Sequence, residues 1–132
     1  MAAQSAAYHE ALELLKPQTV DRHRAIASLM EELEAIDWYD QRVDATRDEA
    51  LRGILAHNRD EEKEHAAMVL EWLRRHDPCL DQQLRDYLFI EGPILEREEA
   101  LEEGESAQSS RPRAGTHDGS LGIGSLRKEM RP

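Results

Sequence analysis

Thiol chemistry is nearly absent from this sequence. Cys79 is its one cysteine, which excludes an internal disulfide framework and leaves no thiolate cluster for structural zinc or an iron–sulfur centre. A reducing interior is the setting this implies, and the expected location is the cytoplasm. Basic clusters are missing as well: 17 Lys and Arg stand against 28 Asp and Glu, a formal net charge of −11. Without concentrated positive charge there is no means to bind a phosphate backbone by counterion release, so nucleic acid is excluded and cations are favoured as ligands. No apolar run approaches the length of a membrane span, and Met1 to Glu10 has neither the basic region nor the apolar core of a secretory signal. No membrane partner is expected. Aromatics are only 5% of the chain and apolar residues 39%, a lower share than a self-sufficient globule carries. A chain of 132 residues accommodates one modest domain, whose burial is expected to be completed by another subunit.

What is present is helical periodicity. His9 to Lys16 forms a short amphipathic stretch that Pro17 ends. From about Val20 to Val43, Ile26, Leu29, Met30, Leu33 and Ile36 recur at three- and four-residue steps, the spacing of one helix face. Thr46 and Glu49 have the spacing of a capping box, so a second long helix is expected to start there and to end before Pro78. Its stripe is Leu51, Ile54, Leu55, then Ala66, Val69, Trp72 and Leu73. The two helices are expected to form an antiparallel hairpin across a short turn at Asp44 to Thr46. Leu80, Leu84, Tyr87 and Leu88 predict a short third helix closed at Gly92-Pro93. The reading is therefore an all-α domain over residues 1–95, followed at 96–120 by a polar stretch that composition assigns to a disordered linker.

Chemistry enters where the second stripe is interrupted. Between Leu55 and Val69 the inward positions are held by Asn58, Glu62 and His65, so two metal-ligating side chains stand where Leu is expected. Three residues apart on a helix, both can reach one ion; left buried without a partner, such a charge would cost about 3–5 kcal/mol. Glu-x-x-His alone is a weak signal in a Glu-rich chain, and a pair that hydrogen-bonds inside the bundle or faces solvent fits the same spacing. On the first helix, Glu32 flanks the apolar stripe one turn from Leu29 and Ile36. Di-iron carboxylate bundles use a Glu from each of two helices and a Glu-x-x-His from each of the other two. This chain supplies half of that set, and a second copy related by a two-fold axis would supply the rest, forming a four-helix bundle. Oxygen-rich ligation with one imidazole per ion suits ferrous iron, whereas structural zinc prefers closed nitrogen and sulfur sites. Glu31, Glu34 and Trp38 lie on a separate face at i, i+3 and i+7, either solvated surface or a place where cations gather near the dimer seam. Tyr39 and His57 are candidates for contacts just outside the ligands, with a core aromatic and a plain interhelical contact as the simpler alternatives.

The runs Met30-Glu31-Glu32-Leu33-Glu34-Ala35-Ile36-Asp37-Trp38-Tyr39 and His57-Asn58-Arg59-Asp60-Glu61-Glu62-Lys63-Glu64-His65-Ala66, with Tyr87-Leu88-Phe89 before Gly92-Pro93, resemble the encapsulated ferritins over roughly residues 9–95. The resemblance implies a ferritin-like protomer that dimerises, with Glu32, Glu62 and His65 of both subunits forming a ferroxidase centre that oxidises Fe(II) to Fe(III) with dioxygen. It also implies a cation-uptake site at Glu31 and Glu34 beside Trp38, holding calcium or another divalent ion, and a ring-shaped homodecamer. Family members rely on an encapsulin shell to store the ferric product. The chain's end, residues 121–132, looks like an encapsulin cargo-loading peptide, with Leu121, Ile123 and Leu126 spaced by Gly and Ser as anchors for shallow pockets. The expected location becomes the interior of an encapsulin nanocompartment. The competing class is a non-catalytic helical adaptor or metal-stabilised scaffold. A rubrerythrin-like peroxide reductase is disfavoured, because one cysteine cannot build its electron-transfer module.

Overall fold

A computed structural model describes residues 7–109. A single 3-10 turn, Leu12–Leu14, precedes four helices: α1 Pro17–Ala45, α2 Glu49–His76, α3 Pro78–Tyr87 and α4 Ile94–Ser109. The chain divides into two compact units, Met1–Leu88 and Phe89–Pro132. No strand occurs among the described residues.

The first unit is a helical hairpin with α3 attached. Pro17 opens α1 at its first turn, where its missing N–H costs nothing and its fixed φ already suits a helix. The stretch expected at His9 to Lys16 is thus reduced to one 3-10 turn, and α1 starts three residues earlier than its apolar pattern suggests. Ahead of it, the Tyr8 ring stacks on His23 with centroids 4.2 Å apart.

The expected capping box does not form. Asp48, not Thr46, caps α2: its Oδ1 accepts from the Leu51 N–H at 2.8 Å, while Thr46 Oγ1 accepts from the Asp48 N–H at 3.2 Å. A carboxylate is a stronger acceptor for the orphan amides and complements the helix dipole. Glu49, released from the box, pairs with Arg52. The turn lies accordingly at Thr46 to Asp48, closed by Arg52, whose guanidinium donates to the Val43 and Thr46 carbonyls. At the other end of α2, Asp77 caps α3 through the Leu80 N–H at 3.1 Å, with Pro78 following it.

Apolar packing in the hairpin is sparse. Only Ala66 and Leu73 are buried, at 8% and 4% exposure, whereas Ile26, Leu33, Leu51 and Ile54 of the predicted stripes are exposed. A two-helix hairpin has one inner seam, and a wide apolar stripe cannot be covered by one neighbour. Polar junctions do much of the fastening. Arg74 binds Glu71 on its own helix and Asp81 on α3, and Asp81 also accepts from Arg85.

The second unit contains α4. It occupies the first part of the stretch assigned to a disordered linker, a correction with a simple cause: Glu, Ala, Leu and Gln are strong helix formers even where they bury little. Ahead of it, Phe89 adopts φ 59° and is fully exposed, and Gly92 has φ 87°. The remainder of the linker and the segment with Leu121, Ile123 and Leu126 lie outside the described residues.

The Arg74 junction makes a pH-dependent prediction. Its guanidinium lowers the Glu71 carboxyl to about 2 from the ordinary 4.5. A depressed carboxyl contributes stability that is complete above the ordinary value and is lost as pH falls toward the folded one. Protection of the Pro78–Tyr87 amides, the exchange rate measured against the intrinsic rate at the same pH, should therefore fall between about pH 4.5 and 2. In Arg74→Ala that protection should be low already at neutral pH and change little over that window.

Candidate metal centre

The hairpin register brings the interrupted stripe of α2 opposite Glu32 on α1. Glu62 and His65 sit one turn apart and project from one face of α2. His65 Nδ1 lies 3.4 Å from Glu62 Oε2 and 3.7 Å from Glu32 Oε2. One ligand atom from each of the three residues falls within 4.8 Å of the other two, the one such group among the described residues. Ala66, buried next to His65, has no side chain long enough to hold the helices apart at this level.

The three are half-buried rather than enclosed: the side chains of Glu32, Glu62 and His65 are 25%, 24% and 45% exposed. The group is thus covered on the seam side and open on the other. Its two carboxyls act on one another. Hydrogen bonding to Glu62, assisted by desolvation, raises the Glu32 carboxyl above its ordinary value, while the hydrogen bond from Glu32, together with that to His65, lowers Glu62. Two adjacent carboxyls cannot both ionise at full strength. A divalent cation would neutralise both carboxylates, and two carboxylates with one imidazole form a donor set that fits a metal such as ferrous iron.

The other predicted residues are not drawn into this group. Glu31 is exposed, Glu34 half-exposed, and Trp38 50% exposed with the Arg42 guanidinium 5.9 Å above its ring. Tyr39 is half-buried beneath the same guanidinium at 5.5 Å. His57 turns to Glu61, its Nε2 3.0 Å from a carboxylate oxygen on the solvent side. One nearby feature was passed over: Arg59, one turn before Glu62, reaches across the seam to Asp40 at 3.0 Å. Its only signal in the sequence is a cation at i−3 from a ligand, too common to single out.

An all-α hairpin carrying carboxylates and an imidazole on its inner seam belongs with the ferritin-like helical proteins. Residues 7–91 match the EncFtn-like family, and the chain belongs to that family, the encapsulated ferritins. An encapsulated ferritin-like protein of Rhodospirillum rubrum is 60% identical over 131 residues, covering 98% of this chain and 94% of the relative. The encapsulin nanocompartment cargo protein EncC of Myxococcus xanthus is 36% identical over 102 residues, 74% of this chain and 77% of the relative. The crystal structure of protein ne0167 from Nitrosomonas europaea is similar with a TM-score of 0.65 at 61% identity, covering 67% of this chain and 97% of that one.

Because Glu62 and burial raise the Glu32 carboxyl above its ordinary 4.5, protons compete with a cation for Glu32 as the pH falls. Cobalt(II) binding measured calorimetrically in two buffers of different ionisation enthalpy should release protons, and affinity should fall as pH drops through the raised Glu32 value. Proton uptake, or affinity independent of pH there, would contradict the raised Glu32 carboxyl.

Proposed function

We propose that this protein is a ferroxidase: ferrous iron is its substrate, dioxygen accepts the electrons, and the working centre is a di-iron site assembled from two copies of the chain. The observation that carries this reading is the convergence of Glu32, Glu62 and His65 on the open face of a hairpin whose apolar stripes are also uncovered. One such trio is half of the ligand set of a di-iron bundle, and a two-fold axis over this face would complete the ligands and the four-helix core together.

In this reading the protein's groups divide the work. Glu62, held ionised below the ordinary carboxyl range, attracts the cation first. Glu32 joins it from the opposite helix as the ion enters. His65 supplies one nitrogen, which leaves room in the coordination sphere for an oxidant. Anionic oxygen ligands stabilise the higher charge of ferric over ferrous iron and so favour oxidation. Glu31 and Glu34, beside Trp38, act as an uptake site that gathers hydrated cations, calcium among them, before they reach the centre. Tyr39 and His57 have no assigned part in the chemistry.

Assembly and destination belong to the same proposal. Two copies pair over the seam, dimers associate into a ring-shaped decamer, and the segment with Leu121, Ile123 and Leu126 docks the protein to an encapsulin shell that stores the ferric product. The match to proteins described as encapsulated and as encapsulin cargo supports this destination, as does the absence, among the described residues, of any helix able to cross a membrane.

Ferrous iron added anaerobically and then exposed to air tests the reading. Ferric absorbance should develop in the unsubstituted protein and be lost in Glu32→Ala, Glu62→Ala and His65→Ala. Native mass spectrometry should show iron shifting the population from monomers to dimers and rings, because binding at a site absent from the separated subunits is expressed as association. Metal binding without oxygen consumption would favour a scaffold. An association balance indifferent to iron would mean that the centre is not shared.

Targeting is tested separately. Removing residues 121–127 should leave oxidation intact and abolish co-purification with a co-expressed encapsulin shell; undiminished loading would refute the assignment.

A further inference from the structure

Among the described residues two ion pairs cross the hairpin from α1 to α2: His65 with Glu32, within the metal centre, and Arg59 with Asp40. The second is close to the first. Arg59 precedes Glu62 by one helical turn, about 4.5 Å along α2, and Asp40 follows Glu32 by about 12 Å along α1. The Arg59 side chain is only 24% exposed, and its guanidinium is held from two directions, by Asp40 Oδ1 at 3.0 Å and Asp60 Oδ1 at 3.2 Å.

Its importance follows from where apolar packing is thin. Both buried side chains, Ala66 and Leu73, lie beyond the centre toward the open end of the hairpin. On the loop side, between Glu49 and Glu61, no side chain of α2 is buried. The next polar tie in that direction is Arg52 at the turn, bonded to the Val43 and Thr46 carbonyls. Ile36 and Val43 of α1 and Leu55 and Ala56 of α2 are only half-buried there, so apolar contact alone sets the helix separation loosely, whereas a metal centre needs its ligands held to about 0.5 Å.

The geometry points to Arg59 and Asp40 as a clamp that holds α1 and α2 at the spacing the Glu32, Glu62 and His65 centre requires, with Arg59 a positioning residue for that centre. This rests on the reading of those three residues as metal ligands. An exposed ion pair adds little to global stability, so the clamp acts on ligand geometry rather than on whether the hairpin folds. The planar guanidinium suits the part: it bonds Asp60 beside it and Asp40 across the seam at once, which fixes its direction in a way a lysine ammonium would not.

Cobalt(II), titrated into the full-length protein, reports affinity together with coordination geometry through its d–d absorption. Arg59→Gln and Asp40→Asn should each raise the Kd about tenfold, the usual scale for losing a group that orients a ligand. Both should also change the shape of the band, with helical circular dichroism unchanged. The exchanged pair, Asp40→Arg with Arg59→Asp, should bring affinity and band back toward those of the unsubstituted protein, because it restores the link while moving the positive charge to the other helix. Asp40→Asn is a mild change at an exposed position and keeps the test valid if Arg59→Gln disturbs folding. Unchanged cobalt binding in Asp40→Asn, or an exchanged pair that folds without regaining affinity, overturns the clamp. Failure of the oxidase reading looks different: the unsubstituted protein would bind cobalt in the clamp-dependent way but consume no oxygen with ferrous iron. A protein that binds no cobalt at all would sink both.

Discussion

Two carboxyls and an imidazole brought to one point on the inner seam of a hairpin are the constraint around which the first unit is arranged. Glu32 comes from α1, Glu62 and His65 from α2, and their ligand atoms lie within 4.8 Å of one another. Such a group cannot be packed like leucine. Its two adjacent carboxyls cannot ionise independently, and the hydrogen bond between them together with desolvation raises Glu32 while Glu62 is lowered. Full burial would demand more compensation than one hairpin supplies. The centre accordingly remains open on one side.

The same openness extends to the apolar surface. With Ala66 and Leu73 the buried side chains and Ile26, Leu33, Leu51 and Ile54 exposed, the hairpin gains little from the burial that stabilises an ordinary domain. An uncovered stripe and a half set of ligands call for the same remedy, and a second copy of the chain is the proposed one. Metal affinity and subunit affinity are then linked, because the cation removes the repulsion that opposes closure of the seam.

Within one copy, arginines take over much of the fastening, although the chain as a whole is acidic. Arg52 closes the turn through backbone carbonyls, Arg59 spans the seam beside the centre, and Arg74 joins α2 to α3 through Glu71 and Asp81. Each uses the guanidinium's several donors to satisfy acceptors on two segments simultaneously. Where apolar contacts are few, such links join segments that little buried surface holds together.

By itself the sequence determined the all-α class, the two long helices and their antiparallel order, the short third helix, and the break that Glu62 and His65 make in the apolar stripe of α2, because helical period is a local property that three- and four-residue spacing displays directly. It also carried long runs specific enough to identify the family. Other features were decided only by tertiary structure. Asp48 displaced Thr46 as the cap of α2, and His57 turned to Glu61 rather than toward the ligands. Residues 94–109 proved helical, since composition judges how much a segment can bury and not whether it coils. The placement of Arg59 against Asp40 was equally illegible in the sequence. Contacts across a hairpin join positions far apart in the chain, and which of many acidic residues meets which arginine is fixed by helix register and separation, quantities that exist only once the two helices are packed.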